Sequence, residues 1–170
     1  MQLFEKHGGV WGGCWCMFYQ VTSGWGKRTR EQNKEEKEKL VNERRAHGIL
    51  VYDHKKPVGW CQFGPKNELP RIDRMRSYKG KDDENLWRIT CFFVDKDYRG
   101  KGVAKEALAV ALKAIRQRGG RAVEAYPFQA QKGKMSSSFL WNGSLSLFKK
   151  FGFTKVARLG RNHYVVRKKL

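Results

Sequence analysis

Residues 98 to 104 read Tyr-Arg-Gly-Lys-Gly-Val-Ala, two glycines and two cations set between an apolar run, Leu86 to Val94, and a helical pattern that opens at Val103. Glycine lets a backbone turn sharply and lets a ligand come close to it, while the first turn of a helix leaves several N–H groups without partners. A junction of this composition suits an anion, phosphate above all. The run before it is aromatic and β-branched, polar only at Arg88 and Thr90, and is expected to be an interior strand. After it, Val103, Ala104, Ala107, Leu108, Ala111, Leu112, Ala114 and Ile115 mark one wide helical face that Gly119-Gly120 closes after Gln117.

Working outward, Ile49 to Asp53 and Val58 to Phe63 read as a hairpin turning at His54-Lys-Lys-Pro57. Upstream, Thr29-Arg-Glu-Gln32 fits a capping box and Gly48 a stop, which predicts a helix between them. Its apolar residues, Leu40, Val41 and Ala46, are few and late, so one end should pack while the other projects. Asn67 to Lys81 is polar and reads as loop with a helical turn. Ala122 to Tyr126 reads as a short strand, Ser138 to Phe151 as a second helix, and Phe153 to Leu159 with His163 to Lys168 as two closing strands. The order predicts one mixed α/β domain spanning residues 1–170, without internal repeat or linker.

At 170 residues the chain can bury a real core, and 40% hydrophobic residues is a globular rather than a disordered composition. Met1 to Val10 holds no signal-peptide core, and nowhere do 18 apolar residues run together, which points to a soluble, cytoplasmic protein without membrane partners. Four cysteines in such a chain read as free thiols. Lysine and arginine number 36 against 16 acidic residues, a net charge of +20 that attracts any polyanion without choosing among nucleic acid, acidic lipid and a phosphorylated cofactor. Thr29 to Arg45 interleaves both signs, and no stacking motif or groove-reading helix is evident, so nucleic acid has no motif to support it.

Arg99-Gly-Lys-Gly102-Val-Ala104 resembles the Arg/Gln-x-x-Gly-x-Gly/Ala pyrophosphate loop of the GNAT superfamily of acetyl-CoA-dependent N-acetyltransferases. Val58-Gly-Trp60 resembles that family's hairpin strand, and Asn142-Gly-Ser144 through Leu147-Phe-Lys-Lys-Phe-Gly-Phe153 its C-terminal motif. The resemblance implies an open, twisted mixed sheet with helices on both faces, in which the strands at Val94 and Ala122 splay apart. Residues 49–170 would be the acetyl-CoA-binding core and residues 1–48 a shortened acceptor-side region whose first strand is missing or supplied differently. Acetyl-CoA, as co-substrate, would lay its pantetheine arm along Phe92, Phe93 and Val94. Its pyrophosphate would lie on Arg99, Gly100, Lys101, Gly102, Val103 and Ala104, with Asn142, Ser144 and Phe148 near the thioester. The partner is an amine acceptor, and the protein would be a monomer or homodimer.

The pattern departs from the family at three places. The strand before the loop carries Arg88 and Thr90 where many members have a catalytic glutamate. The next strand offers Glu124 and Tyr126 on one face, as base and positioning group, or Glu124 as the ion-pair partner of Arg88 or Arg121. Asn142 completes the catalytic candidates. Phe148 stands where many members have a tyrosine that protonates the leaving thiolate. Gly12-Gly-Cys14-Trp-Cys16-Met-Phe-Tyr19 resembles a stretch of uncharacterised bacterial members. Its cysteines read as buried thiols rather than a zinc pair, and Trp11, Trp15 and Tyr19, with Arg88 beyond them, as an aromatic acceptor wall that holds a cationic amine. Three functions stay open: N-acetyltransferase acting on a small, protein-linked or tRNA-linked amine, a weakened acyl-CoA sensor, and a nucleic-acid binder that keeps the fold.

Overall fold

A computed structural model of the chain describes residues 2–78, 85–129 and 140–170. Six strands, β1 (His47–Asp53), β2 (Lys56–Pro65), β3 (Leu86–Val94), β4 (Ala122–Ala125), β5 (Thr154–Arg158) and β6 (Tyr164–Lys169), form one open sheet in the order β1-β2-β3-β4-β6-β5. Only β3 and β4 run parallel, joined by the crossover helix α3 (Val103–Gln117), and every other neighbouring pair is antiparallel. The remaining helices are α1 (Gln2–Lys6), α2 (Arg30–Asn42) and α4 (Leu145–Lys150).

The strand period divides the side chains between two cores. Ile89 and Phe92 of β3 face the same core as Leu108, Ala111 and Ile115 of α3 and Phe148 of α4. Cys91 and Phe93 face the other way, against Leu3, Phe4, Trp15 and Met17 of the N-terminal region. Burying both faces of β3 is what its nearly continuous apolar sequence requires. Ile115 is wholly buried, so truncating it to alanine costs about 2 to 5 kcal/mol.

Three expectations are corrected. Helix α2 ends at Asn42, because Arg44 takes a left-handed φ of 58° and the amides of Arg44 and Arg45 close back on Val41 and Leu40 at 3.0 and 2.8 Å. This is a Schellman stop built without glycine. Gly48 instead lies in β1 beneath Trp60, whose ring would meet a Cβ there at 2.0 Å. Nor does α2 project: Asn33 donates to Gly13 O at 3.0 Å and the buried Lys37 to Cys16 O at 3.3 Å, one turn apart on the face that covers the N-terminal coil. The C-terminal helix begins at Leu145 rather than Ser138, since Gly143 turns at φ 79° and the Ser144 hydroxyl accepts the Leu147 amide as N-cap; Ser138 itself is outside the described residues.

Elsewhere the differences are small. The polar stretch after β2 forms two 3-10 turns, Lys66–Glu68 and Pro70–Arg74, and its expected end at Lys81 is outside the described residues. Strand β4 stops one residue short of Tyr126. Among the described residues no strand precedes β1, which is the sheet's outer strand, and no helix is long and apolar enough to cross a membrane.

Candidate acetyl-CoA cleft and the buried network beside it

β3 and β4 are paired only from Leu86 opposite Ala122 to Ile89 opposite Ala125. At that level β3 carries a bulge: Gln62 of β2 faces Cys91 and Phe63 faces Ile89, which leaves Thr90 as the extra residue. Past the bulge the two strands part, and residues 141 and 142 enter the gap. Asn142 Nδ2 donates to Thr90 O at 2.7 Å, and the Phe92 amide donates to Trp141 O at 2.6 Å. The Asp95 amide bonds Val58 O on β2. By strand alternation Phe93 faces β2 as well, whereas the Phe92 carbonyl and the Val94 amide face the gap.

There a cleft of about 390 Å³ opens, bounded by Phe92 and Val94, by Arg99 to Ala104 save Lys101, and across from them by Trp141, Ser144 and Leu147. Gly100 and Gly102 adopt φ of 77° and 84° with nothing within 4 Å of where a Cβ would stand, so the loop takes left-handed turns that other residues resist. The amides of Lys105 and Glu106 both bond Gly102 O, at 2.9 and 3.1 Å, so the α3 ladder starts there. Gly102 supplies no side-chain cap. The amides of Gly102, Val103 and Ala104 therefore precede the ladder at the cleft, at the positive end of the helix dipole, where an anion gains about 0.3 to 1 kcal/mol from the dipole alone.

Asp95 holds this loop to the rest of the molecule. Its wholly buried carboxylate accepts from the Asp97 amide at 3.2 Å and from Lys6 Nζ at 2.6 Å, with His7 Nε2 at 3.6 Å. Burial pushes its pKa up, but the Lys6 hydrogen bond, the Asp97 amide and the charges of Lys6 and His7 outweigh that and hold it down at about 2. The sequence reading missed Asp95, although an aspartate two residues before a 3-10 amide is a recognisable cap.

The other predicted residues have varied surroundings. Arg99 Nε donates to Val94 O at 3.3 Å, and Lys101 Nζ stands 5.2 Å from the Tyr98 ring centre. Phe148 is wholly buried, its ring 6.0 Å from that of Phe92 and 5.0 Å from that of Phe153. Asn142 is buried and also donates to Tyr19 Oη at 3.0 Å.

Glu124 lies wholly buried at the centre of a polar network. One carboxylate oxygen accepts from Tyr126 Oη at 2.6 Å and Tyr78 Oη at 2.7 Å, the other from Arg167 Nε at 2.7 Å. Arg88 Nε is 3.8 Å away, and the Arg88 guanidinium is itself clamped by Asp73 at 2.6 and 2.7 Å. The chief ionic partner is thus Arg167, directly across from Glu124 on β6, rather than Arg121. Burial first, then the Glu124 carboxylate, pushes the Tyr126 phenol well above its ordinary value, so Tyr126 is neutral and donates.

The aromatic residues of the N-terminal stretch divide. Trp11, 49% exposed, borders the cleft. Trp15, 1% exposed, sits in the second core against Phe4, with Lys34 Nζ 5.5 Å from its ring centre. Tyr19 is stacked on Tyr126 at 5.7 Å, and the Phe18 ring beside it is covered by the Arg71 guanidinium at 4.1 Å. Cations of the chain itself occupy these faces of Trp15 and Phe18.

The comparisons agree with this geometry. The model of the acetyltransferase (GNAT) family matches residues 15–153, and no curated protein matches. Among solved structures, a ribosomal-protein-alanine N-acetyltransferase from Brucella melitensis superposes with a TM-score of 0.58 at 15% identity, over 98% of this chain and 94% of that one. The PaiA N-acetyltransferase of Thermoplasma acidophilum, solved with coenzyme A, gives 0.58 at 15% identity over 99% and 94%. YncA of Salmonella typhimurium, a putative acetyltransferase solved with acetyl-CoA, gives 0.55 at 15% over 91% and 83%. At such identities the likeness is one of fold. The family model, however, spans well over half of the chain, and the parted strands and the helix opening at Gly102 accord with it: the protein belongs to the GNAT acetyltransferase family.

Proposed function

We propose that the protein moves an acetyl group from acetyl-CoA to a primary amine by direct attack. The observation that carries this reading is the parting of β3 and β4 beside a helix N-terminus without a side-chain cap. The pyrophosphate would rest on the amides of Gly102, Val103 and Ala104, with Arg99, Gly100 and Lys101 around it. The pantetheine would pair with the Phe92 carbonyl and the Val94 amide, its thioester near Asn142 and Ser144. Because the Phe92 amide is already bonded to Trp141, Val94 is the amide of this stretch that supplies a donor.

The amine nitrogen bonds to the thioester carbon, the C–S bond breaks, the sulfur leaves with its electron pair, and the proton shed by the nitrogen goes to the thiolate or to water. A lysine-like ammonium has a pKa near 10.4, so its deprotonation at neutral pH costs roughly 4 to 5 kcal/mol, while a thiolate of pKa about 8.5 leaves without an acid beside it. Phe148 has no proton to give. Both oxygens of Glu124 are occupied, which favours its holding Tyr126 in place over its accepting the substrate's proton. Tyr126, Tyr19 and Asn142 would line the acceptor side with Arg88 behind them, and Trp15 would support that wall from its core.

The test is isothermal titration with acetyl-CoA, followed by thiol release with a panel of amines, amino-terminal peptides and aminoacyl-tRNAs. Amine-dependent release supports the transferase. A second reading, an acyl-CoA sensor, is favoured by Phe148 and by the closed Glu124 network; binding without release for any acceptor supports it. Absence of binding refutes both.

A further inference from the structure

We propose that Cys16 and Cys91 are a dithiol–disulfide couple, a modification site that is oxidised by a hydroperoxide through Cys14. The two residues lie 75 positions apart in the chain, yet their sulfurs are 2.9 Å from one another, so about 0.9 Å of approach brings them to disulfide length. Both are buried, Cys16 at 2% exposure and Cys91 at 4%, in the core between the N-terminal coil and β3. Cys14 is the outward member: it is partly exposed, and its sulfur accepts the Cys16 amide at 3.4 Å. Left-handed backbone at Trp15 and Cys16, φ 47° and 54°, folds the Cys-Trp-Cys stretch back on itself to make that approach.

Lys37 adds a second, independent feature. A lysine buried to this degree is rare without a carboxylate partner, and its Nζ is held at Cys16 O, at 3.3 Å, and at Gln20 Oε1. Hydrogen bonding to Cys16 and burial raise the Cys14 thiol above its ordinary range, and the Lys37 ammonium works against that rise, toward the reactive thiolate. Metal binding is the competing use of clustered cysteines. Among the described residues, however, no three of histidine, cysteine, aspartate and glutamate are grouped to hold an ion, and Cys61 packs with the opposite core.

The chemistry balances with the peroxide as two-electron oxidant. The Cys14 thiolate attacks the O–O bond, giving a sulfenic acid and one water. Cys16 sulfur then attacks Cys14 sulfur, the S–O bond breaks and a second water leaves. Cys91 sulfur attacks Cys16 sulfur, the new bond forms, and the Cys14 thiol is restored. In sum two thiols and one hydroperoxide give one disulfide and two waters, or a water and an alcohol. The bond fastens β3, one residue before Phe92, to the coil that carries Trp11, both of them walls of the cleft.

The test uses the whole chain, reduced, freed of reductant, treated with hydrogen peroxide, alkylated and cut with chymotrypsin, whose cleavage after Trp15 separates Cys14 from Cys16. The expected result is an intact mass lower by about 2 Da before alkylation, two of the four thiols lost to titration, and a peptide containing Cys16 joined to one containing Cys91. Cys91→Ser and Cys16→Ser each abolish that cross-link, the first stopping at a Cys14–Cys16 disulfide and the second at a dimedone-reactive sulfenic acid on Cys14, readouts that do not depend on stability. Cys14→Ser forms the same cross-link about tenfold more slowly. In the wild-type chain a final Cys14–Cys16 disulfide overturns the proposal. So does a sulfinic acid at Cys14 with Cys16 and Cys91 still alkylated, an unchanged rate in Cys14→Ser, or four intact thiols under conditions that oxidise a free cysteine peptide. None of these readouts uses acetyl transfer, so they stand apart from the proposed function.

Discussion

Glu124→Gln replaces one oxygen of a wholly buried carboxylate by an NH2 group at the centre of a polar network. The tyrosine hydroxyls of Tyr78 and Tyr126 bond one oxygen and Arg167 the other. A glutamine that keeps its oxygen toward Arg167 turns its NH2 toward the two phenols, which can accept from it but must then find new acceptors for their own protons. The charge that neutralises Arg167 is lost, though Arg167 is 23% exposed and retains some water, and Arg88 keeps both oxygens of Asp73. Breaking a fully buried pair costs about 3 to 5 kcal/mol; the partial exposure of Arg167 lowers that to about 2 to 4 kcal/mol. This is a large share of a typical stability of about 5 to 15 kcal/mol but leaves a folded protein to assay. Urea unfolding at pH 7 reads the loss, and kcat/KM from pH 6 to 9 reads the chemistry. If Glu124 positions Tyr126, the pH profile keeps its shape and kcat falls less than about tenfold, while Tyr126→Phe costs only about 1 kcal/mol in stability. A stability change under about 1 kcal/mol, with kcat/KM down about 100-fold or more and a flattened profile, refutes the structural argument and makes the carboxylate the base.

Other perturbations separate the parts of the molecule. Gly102→Ala forces a side chain into φ 84° where space is open, so the cost is backbone strain of about 1 to 2 kcal/mol, and acetyl-CoA affinity measured by titration should fall about tenfold as the loop relaxes. Lys37 is held down at about 8, chiefly by desolvation, with the thiols around it opposing. Below pH 8 its burial cost is present in full. Between 8 and about 10.4 the folded state loses the proton first, so stability rises by up to about 3 kcal/mol. The thiols of Cys14 and Cys61, held above their ordinary range, work in the opposite direction; the wild-type minus Lys37→Met difference in urea stability removes most of their contribution, and a flat difference from pH 7 to 10.5 would contradict the burial of an ammonium. Asp95, held at about 2, contributes stability above the unfolded value near 3.9 and loses it as pH falls toward 2. Asp95→Asn should therefore unfold more readily at pH 7 and show a shallower acid limb in thermal melts.

The half of the site that is legible in the sequence is the half made of backbone. β3, the glycine turn and α3 follow from neighbouring residues, because strand propensity, left-handed glycines and a 3.6-residue apolar face all point to the same elements. Where local rules fail, a distant contact or an unusual backbone decides. Gly48 looks like a helix stop but serves to admit the ring of Trp60, while Arg44 makes the turn that glycine ordinarily makes. Trp11 and Trp15, four residues apart, end at a cleft wall and in a core, because Val10, Trp11, Trp15 and Cys16 all take positive φ, which no propensity signals. Period-two reading places Glu124 and Tyr126 on one face, but Arg167 meets Glu124 through a register between β4 and β6 that no local pattern sets, and Tyr78 and Asp73 reach the same network from a stretch that reads only as polar loop.

That division also says how the two halves should respond to change. The proposed anion cradle is formed by amides that every non-proline residue carries, positioned by Gly100 and Gly102, and the cationic side chains beside it have other contacts: Lys101 lies over Tyr98 and Arg99 is bonded to Val94 O. Lys101→Ala should accordingly weaken acetyl-CoA binding only about two- to threefold, the scale of a screened surface charge, against about tenfold for Gly102→Ala. The proposed acceptor side has no such backbone frame. It depends on side chains from the N-terminal coil, the 3-10 turns, β4 and β6 meeting within one network, so a single replacement there is transmitted to all of them, which is why its chemistry has to be read from the folded chain.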